Sequence, residues 1–127
     1  MSTPRADALR IVLVEDCDTD AELLALVFAD AGMDVAWTVA TTEPSLRAAL
    51  ATAADLVISD YHLPGFDGMR ALAVTRDLAP ATPFVFCCGE SDAAFLHTAH
   101  AAGARTCLLK REMWKVPGAV RQVLAGG

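Results

Sequence analysis

Residues 11–16 read IVLVED, so four aliphatic residues run directly into two adjacent carboxylates, Glu15 and Asp16. An unbroken aliphatic run of this kind is typical of a strand that is buried on both faces, as in a parallel sheet. Two like charges at the end of such a strand repel each other unless a cation lies between them. The stretch therefore predicts a buried strand that delivers two acids to a cation-binding site.

Short apolar runs recur along the rest of the chain, and helical patterns separate them. The predicted strands are Ile11–Val14, Val35–Val39, Leu56–Ile58, Phe84–Cys88 and Cys107–Leu109. The first predicted helix is capped by Asp18 or Thr19, the second begins at Thr42 with Pro44 in its first turn, and the third runs from about Gly68 to Leu78. Ser91 caps the fourth, and the fifth spans Pro117–Leu124. Glycines or prolines end three of them, at Gly32, before Pro80 and at Gly103. Strands that alternate with helices predict an α/β fold with a parallel sheet.

The first predicted helix carries an apolar stripe that we interpret as core. Its members recur at helical spacing: Leu23, Leu24, Val27, Phe28 and Ala31. Trp37 and Trp114 are interpreted as packing residues rather than as stacking platforms for a ligand.

Composition limits the class of protein. A chain of 127 residues predicts one domain, here residues 1–127 with a core of about 9–124. The net charge of −6 and the lack of a basic cluster argue against nucleic-acid binding. No apolar run approaches the ~20 residues of a membrane span, and the start does not resemble a signal peptide. The four cysteines lack zinc spacing, so we expect reduced thiols in a cytoplasmic protein.

Chemically active residues follow the predicted strands. In an open α/β sheet the functional crevice lies at the carboxyl ends of the strands. Glu15 and Asp16 follow the first strand, Asp60 the third, Cys88 ends the fourth and Lys110 follows the fifth. Three carboxylates and one ammonium should therefore converge. Oxygen ligands of this kind suit Mg²⁺, which takes one or two carboxylates and keeps several waters.

Three segments, VLVED, VISDYHLPGFDG and LLK, resemble in order and spacing the CheY-like receiver domain of two-component response regulators. The resemblance covers residues 9–124. It implies a flavodoxin-like, doubly wound sheet of five parallel strands in the order 2-1-3-4-5, with helices on both faces.

The resemblance also implies roles for individual residues. Asp60 would accept a phosphoryl group from a histidine kinase or a phosphotransfer protein. Asp16 and Asp60 would ligate Mg²⁺, Glu15 would hold it partly through water, and the backbone carbonyl of His62 would complete the site. Lys110 would pair with the phosphoryl oxygens. Beyond self-phosphotransfer and autodephosphorylation, no enzymatic activity is expected.

Three positions depart from the family pattern. Cys88 stands where receivers usually carry the Ser or Thr that bonds the phosphoryl group, and a thiol is a weak donor. Cys107 stands where an aromatic ring usually reports the switch, and Arg111 replaces the proline that usually follows the lysine. The acid triad favours a phosphoacceptor. The two cysteines leave open a degenerate receiver that acts as a phosphorylation-independent interaction module.

Other interpretations are weaker. A flavodoxin-like cofactor binder would need a glycine-rich phosphate loop after the first strand, where EDCDTD would instead repel phosphate. His97 and His100 could pair on a metal, but no third ligand is evident, so we favour a solvated or partner-facing surface. In receivers, helix four, strand five and helix five form the usual output face. The resemblance implies that a homodimer could form through this face, which would include His97, His100, Arg105 and Trp114.

Overall fold

Five parallel strands form one sheet in the order β2-β1-β3-β4-β5. The computed structural model describes residues 8–61, 67–89 and 93–126. The strands are β1 (Leu9–Val14), β2 (Val35–Ala40), β3 (Leu56–Ser59), β4 (Phe84–Cys88) and β5 (Thr106–Leu109). The helices are α1 (Asp18–Asp30), α2 (Glu43–Leu50), α3 (Gly68–Leu78), α4 (Ala93–Ala101) and α5 (Val116–Gly126), and a 3₁₀ segment (Lys110–Lys115) joins β5 to α5. The predicted fold class and strand order are confirmed.

Helices cover both faces of the sheet. On one face Val12, Val57 and Phe86 pack with residues of α2, α3 and α4. On the other face Ile11 and Ile58 pack with residues of α1 and α5. The alternation follows from the two-residue period of a strand, which sends neighbouring side chains to opposite faces. In β3 and β4 every residue is buried, whereas the edge strands β2 and β5 are only partly covered.

Most predicted helix ends are confirmed. Gly32 has a φ of +77°, and the N–H of Met33 donates to the carbonyl of Phe28 to close α1. Thr42 caps α2 by accepting from the Ser45 N–H at 3.2 Å. Gly103, with a φ of +114°, follows the end of α4. The predicted cap Ser91 lies outside the described residues.

Three expectations are wrong. Cys17, not Asp18 or Thr19, is the N-cap of α1, and no side chain caps this helix. The acids in its first turn instead stabilise the helix by interacting with the positive end of its dipole. Leu23 is exposed because it lies about 100° around α1 from Leu24, which faces the sheet. Trp114 is 67% exposed, since the 3₁₀ segment turns Met113 inward in its place. Trp37 does pack, edge to face, on the ring of Phe28 at 5.2 Å.

Among the described residues, no helix has the length and apolar character that a membrane span requires.

Candidate functional site

The ladder between β1 and β3 fixes the two strand ends that carry the acids. Val14 pairs with Ser59, and the Asp60 N–H donates to the Val14 carbonyl at 2.9 Å. The Glu15 N–H donates to Ala40 on the other side of β1 at 3.1 Å. The backbones of Glu15 and Asp60 are therefore held side by side by hydrogen bonds that belong to the sheet itself.

Three carboxylates meet at this edge. One oxygen from each of Glu15, Asp16 and Asp60 lies within 4.8 Å of the other two. Ligand oxygens around a Mg²⁺ ion with 2.0–2.1 Å bonds lie about 3–4 Å apart, so a small contraction would bring these three oxygens onto one ion. Glu15 is buried and Asp16 is exposed, which leaves one side of the group open to water. In the described part of the chain, these residues form the one group of three or more acid, histidine or cysteine side chains that could hold a metal ion; His62, the fourth predicted ligand, lies outside it.

The ammonium of Lys110 lies beside the acid group. Its Nζ is 2.7 Å from Asp20 Oδ2, 2.8 Å from Glu15 Oε1 and 3.1 Å from Asp60 Oδ2. Asp20 and Asp60 accept hydrogen bonds from this ammonium, and Glu15 forms an ion pair with it. The structure thus brings together Lys110 with two of the acids predicted from the sequence, and it adds a carboxylate that sequence reasoning missed.

Asp20 is that missed residue. It lies in the first turn of α1, five residues after Glu15, where an acid is expected for reasons of helix polarity alone. The available indication was position: a helix that follows β1 begins at the same edge of the sheet as Glu15 and Asp16. That position, together with the excess of acids over cations in EDCDTD, could have revealed it.

Burial and charge act in opposite directions on the ionisable groups. Burial raises the pKa of Glu15 above its usual value, the Lys110 ammonium and the Cys17 N–H oppose that rise, and the charge of Asp60 adds to it. Burial alone would lower the pKa of Lys110, but hydrogen bonds to Asp20, Glu15 and Asp60 outweigh burial and raise it. Lys110 is therefore a permanent cation at neutral pH. Four carboxylates around one ammonium leave an excess of negative charge that attracts a further cation.

The start of α3 packs directly against the backbone of Asp60. A Cβ on Gly68 would lie 2.7 Å from the Asp60 carbonyl oxygen, from Tyr61 Cα and from Phe86 Cε1. The Gly68 N–H donates to the Tyr61 carbonyl at 2.7 Å, and the Tyr61 N–H donates to Asp60 Oδ1 at 2.8 Å. Only glycine fits this close approach, so Gly68 helps to set the orientation of the Asp60 carboxylate.

Tyr61 also connects this backbone to α4. Its ring packs edge to face on Phe95 at 4.6 Å and on Phe86 at 6.1 Å, and Phe86 contacts Phe95 at 5.4 Å. Aromatic pairs of this geometry contribute about 0.5–1.5 kcal/mol each beyond their buried area. The residue after Asp60 is therefore packed against a helix on one face of the sheet.

Comparison with known proteins decides the family. The family model for the response regulator receiver domain matches residues 11–115. The chain belongs to the response regulator receiver family. Among curated protein sequences, none matches this chain with significant similarity.

Solved receiver structures share the fold. A signal receiver domain assigned to the response regulator NarL from Mycobacterium tuberculosis is 23% identical, with a TM-score of 0.81 over 94% of this chain and 98% of that chain. A CheY-like receiver domain protein from Methanospirillum hungatei is 19% identical, with a TM-score of 0.74 over 95% and 100%. The phosphorylated cyanobacterial phytochrome response regulator RcpA is 16% identical, with a TM-score of 0.78 over 94% and 95%. At these identities the similarity establishes the fold, whereas the chemistry depends on the residues of this chain.

Two of the three positions that depart from the family pattern are thiols. Cys88 is buried at the site end of β4, whereas its neighbour Cys87 packs on the opposite face of the sheet with residues of α1 and α5. Burial and the charge of Asp60 raise the pKa of Cys88, although Lys110 lowers it. Burial raises the pKa of Cys107 to about 11. Both side chains are therefore protonated thiols at neutral pH, and neither carries the hydroxyl or ring usual in this family.

Proposed function

We propose that this receiver domain accepts a phosphoryl group on Asp60 from the phosphohistidine of a histidine kinase or a phosphotransfer protein, with Mg²⁺ as cofactor. The observation that carries the proposal is the position of the Asp60 carboxylate. It lies 3.1 Å from the Lys110 ammonium and within 4.8 Å of two further carboxylate oxygens. A nucleophile flanked by a fixed cation and a metal-binding acid pair has the parts that phosphoryl transfer requires.

In the proposed step, a carboxylate oxygen of Asp60 forms a bond to phosphorus while the bond between phosphorus and the donor nitrogen breaks. The bonding electrons stay on that nitrogen, and the ring leaves as neutral imidazole because its other nitrogen carries a proton in the reacting phosphohistidine. The Tyr61 N–H holds Oδ1 of Asp60, and Lys110 lies next to Oδ2, so the carboxylate cannot rotate freely. Lys110 is then within reach of the charge on the transferred group.

Glu15, Asp16 and Asp60 would hold the Mg²⁺ ion, and the carbonyl of His62 is the further ligand expected from the family resemblance. When bound, Mg²⁺ would supply positive charge against the oxygens of the transferred group. Attack of water on the acyl phosphate would reverse the modification, and we propose no other enzymatic activity.

Incubation with acetyl phosphate and Mg²⁺, followed by intact-mass measurement, tests the proposal. We expect the wild type to gain one phosphoryl group and Asp60→Asn to gain none. Asp55→Asn is the matched control, because Asp55 precedes the opposite end of β3, where its carboxylate accepts from the Arg10 N–H at 2.9 Å. Equal labelling of Asp60→Asn and wild type would refute Asp60 as the acceptor.

A phosphorylation-independent interaction module is the second candidate function. The two thiols favour it, because a receiver without the usual hydroxyl and ring has fewer ways to couple Asp60 to a distant surface. The same labelling experiment separates the two functions. A wild type that binds Mg²⁺ but takes up no phosphoryl group would support the second candidate.

The thiol at residue 88 predicts a weak conformational response. A hydroxyl that donates to a phosphoryl oxygen contributes about 0.5–1.5 kcal/mol, and more to a charged acceptor, whereas a thiol forfeits most of this. We therefore expect Cys88→Thr to shift the equilibrium towards the active state by about fivefold. Amide chemical shifts in α4, measured with beryllium fluoride as phosphoryl mimic, report the change. Cys88→Val, which has the same shape as threonine without the hydroxyl, should behave like wild type. Large and equal shifts in wild type and Cys88→Thr would contradict the prediction.

We propose that the surface formed by α4, β5 and α5 contacts a partner protein or a second copy of the chain. We also propose that the protein is located in the cytoplasm. Trp114 is exposed, and a groove of about 300 Å³ lies between α4 and β5. Leu96, His100, Arg105 and Cys107 line this groove. The apolar side chain of Leu96 beside the charged side chain of Arg105 suits contact with a protein partner.

A further inference from the structure

The three contacts of Lys110 are not equivalent. The shortest runs to Asp20 Oδ2 at 2.7 Å, Glu15 Oε1 follows at 2.8 Å, and Asp60 Oδ2 is the most distant at 3.1 Å. An ammonium has no fourth donor. An oxygen that arrives on Asp60 must therefore take over one of these contacts, and the longest of them is the one to Asp60 itself.

Two of the three partners have a second task in the proposed reaction, and Asp20 has none. Glu15 and Asp60 belong to the acid group that would hold the metal ion, whereas Asp20 does not. Asp60 would also carry the phosphoryl group. Asp20 is therefore the one partner that remains available to Lys110 at every stage. Its backbone is fixed in the first turn of α1, while Lys110 begins the 3₁₀ segment after β5.

We propose that Asp20 is a positioning residue that holds the Lys110 ammonium beside Asp60 and draws its charge away from Glu15. The inference rests on the proposed function, because the lysine needs a fixed position only if it meets a phosphoryl group. Without Asp20 the ammonium would settle between Glu15 and Asp60 and would neutralise the carboxylates that a metal ion needs. Loss of Asp20 should then weaken metal binding and slow phosphoryl transfer together.

The simpler explanation is that Asp20 adds one more negative charge near the site. Asp18 separates the two explanations, because it carries the same charge in the same turn of α1 but is not among the carboxylate partners of Lys110. A general field effect predicts similar losses for Asp18→Ala and Asp20→Ala. A positioning role predicts a loss for Asp20→Ala alone.

The test uses the full chain and two measurements. Calorimetric titration gives the affinity for Mg²⁺, and intact mass against time gives the rate of labelling by acetyl phosphate at saturating Mg²⁺. We expect Asp20→Ala to weaken Mg²⁺ binding and to slow labelling by about tenfold each, as removal of an outer partner of a metal site usually does. Asp18→Ala should change either quantity by less than about twofold. Asp20→Asn keeps the shape and one acceptor oxygen, so it should fall between wild type and Asp20→Ala.

The same substitutions in a Lys110→Ala background complete a double-mutant cycle. If Asp20 acts through the lysine, Asp20→Ala should have no more effect there than Asp18→Ala. A full tenfold loss of Mg²⁺ affinity in that background, or equal losses for Asp18→Ala and Asp20→Ala with Lys110 present, would overturn the inference. A wild type that takes up no phosphoryl group would instead overturn the proposed function, and the Mg²⁺ titrations would still decide whether Asp20 positions Lys110.

Discussion

Replacing Lys110 with methionine should lower the free energy of unfolding of the metal-free protein by about 3 kcal/mol at neutral pH. Methionine keeps most of the apolar stem, so the change removes mainly the charge. The side chain of Glu15 is only 5% exposed, and it would keep its negative charge near Asp60 with no cation between them. A buried carboxylate that loses its partner is among the larger destabilising effects known for a single substitution.

The loss should depend on pH, and the sign follows from Glu15. Its pKa in the folded protein is raised by burial, and removal of Lys110, which lowers that pKa, raises it further. The folded state then binds a proton more tightly than the unfolded state, so the stability of Lys110→Met rises as the pH falls through the folded pKa of Glu15. We therefore expect a smaller difference from wild type at pH 5 than at pH 7.

Urea unfolding followed by tryptophan fluorescence measures both effects. Lys115→Met is the matched control, because Lys115 pairs with Glu112 at 3.1 Å on the surface, where both side chains are well exposed. An exposed pair of this kind contributes at most about 1 kcal/mol. Equal stability changes for the two methionine variants, or a loss in Lys110→Met that does not vary with pH, would show that Lys110 does not compensate a buried acid.

Gly68→Ala should destabilise the protein by about 1–2 kcal/mol and should also slow phosphorylation of Asp60. The added methyl group would lie 2.7 Å from the carbonyl oxygen of Asp60 and from Tyr61 Cα, both of which are backbone atoms, so no side chain can simply rotate away. Overpacking of this kind costs about 1–3 kcal/mol, which exceeds the gain of up to about 1 kcal/mol that alanine brings to a helix.

Gly118→Ala provides the control for this prediction. Gly118 is an exposed helical glycine of α5, and nothing lies within 4 Å of its added Cβ. Alanine there should leave stability unchanged or raise it by up to about 1 kcal/mol. Thermal or urea unfolding compares the two variants. If Gly68→Ala were as stable as Gly118→Ala, the close approach of α3 to Asp60 would not constrain the site.

The sheet could be predicted from the sequence because burial on both faces leaves a direct trace in residue type. The run Ile11–Val14 and its counterparts contain almost no polar residues, and the caps at Thr42 and Gly32 depend only on local backbone chemistry. Composition did not show that β2 and β5 lie at the edges of the sheet, since they are as apolar as the central strands but are only partly covered. Strand order decides that difference, and the family resemblance rather than periodicity supplied it.

The acids of the site could be placed at one edge of the sheet, but their partner Asp20 could not. Asp20 and Lys110 are 90 residues apart, and β3 and β4 lie between the strands that precede them. Only the three-dimensional arrangement shows that the first turn of α1 reaches across to the segment after β5. Trp114 illustrates the same limit, because the sequence did not reveal that a 3₁₀ segment precedes α5 and turns Met113 inward.

Direct location of the modified residue is the closest test of Asp60 as the phosphoryl acceptor. After labelling with acetyl phosphate and Mg²⁺, borohydride reduces an aspartyl phosphate to homoserine, which survives digestion. Trypsin then releases residues 48–70, between Arg47 and Arg70, a peptide that contains Asp55, Asp60 and Asp67. Tandem mass spectrometry should place homoserine at Asp60, with both neighbouring aspartates unchanged. Homoserine at either of those neighbours, or in a peptide outside residues 48–70, would rule out Asp60 as the acceptor.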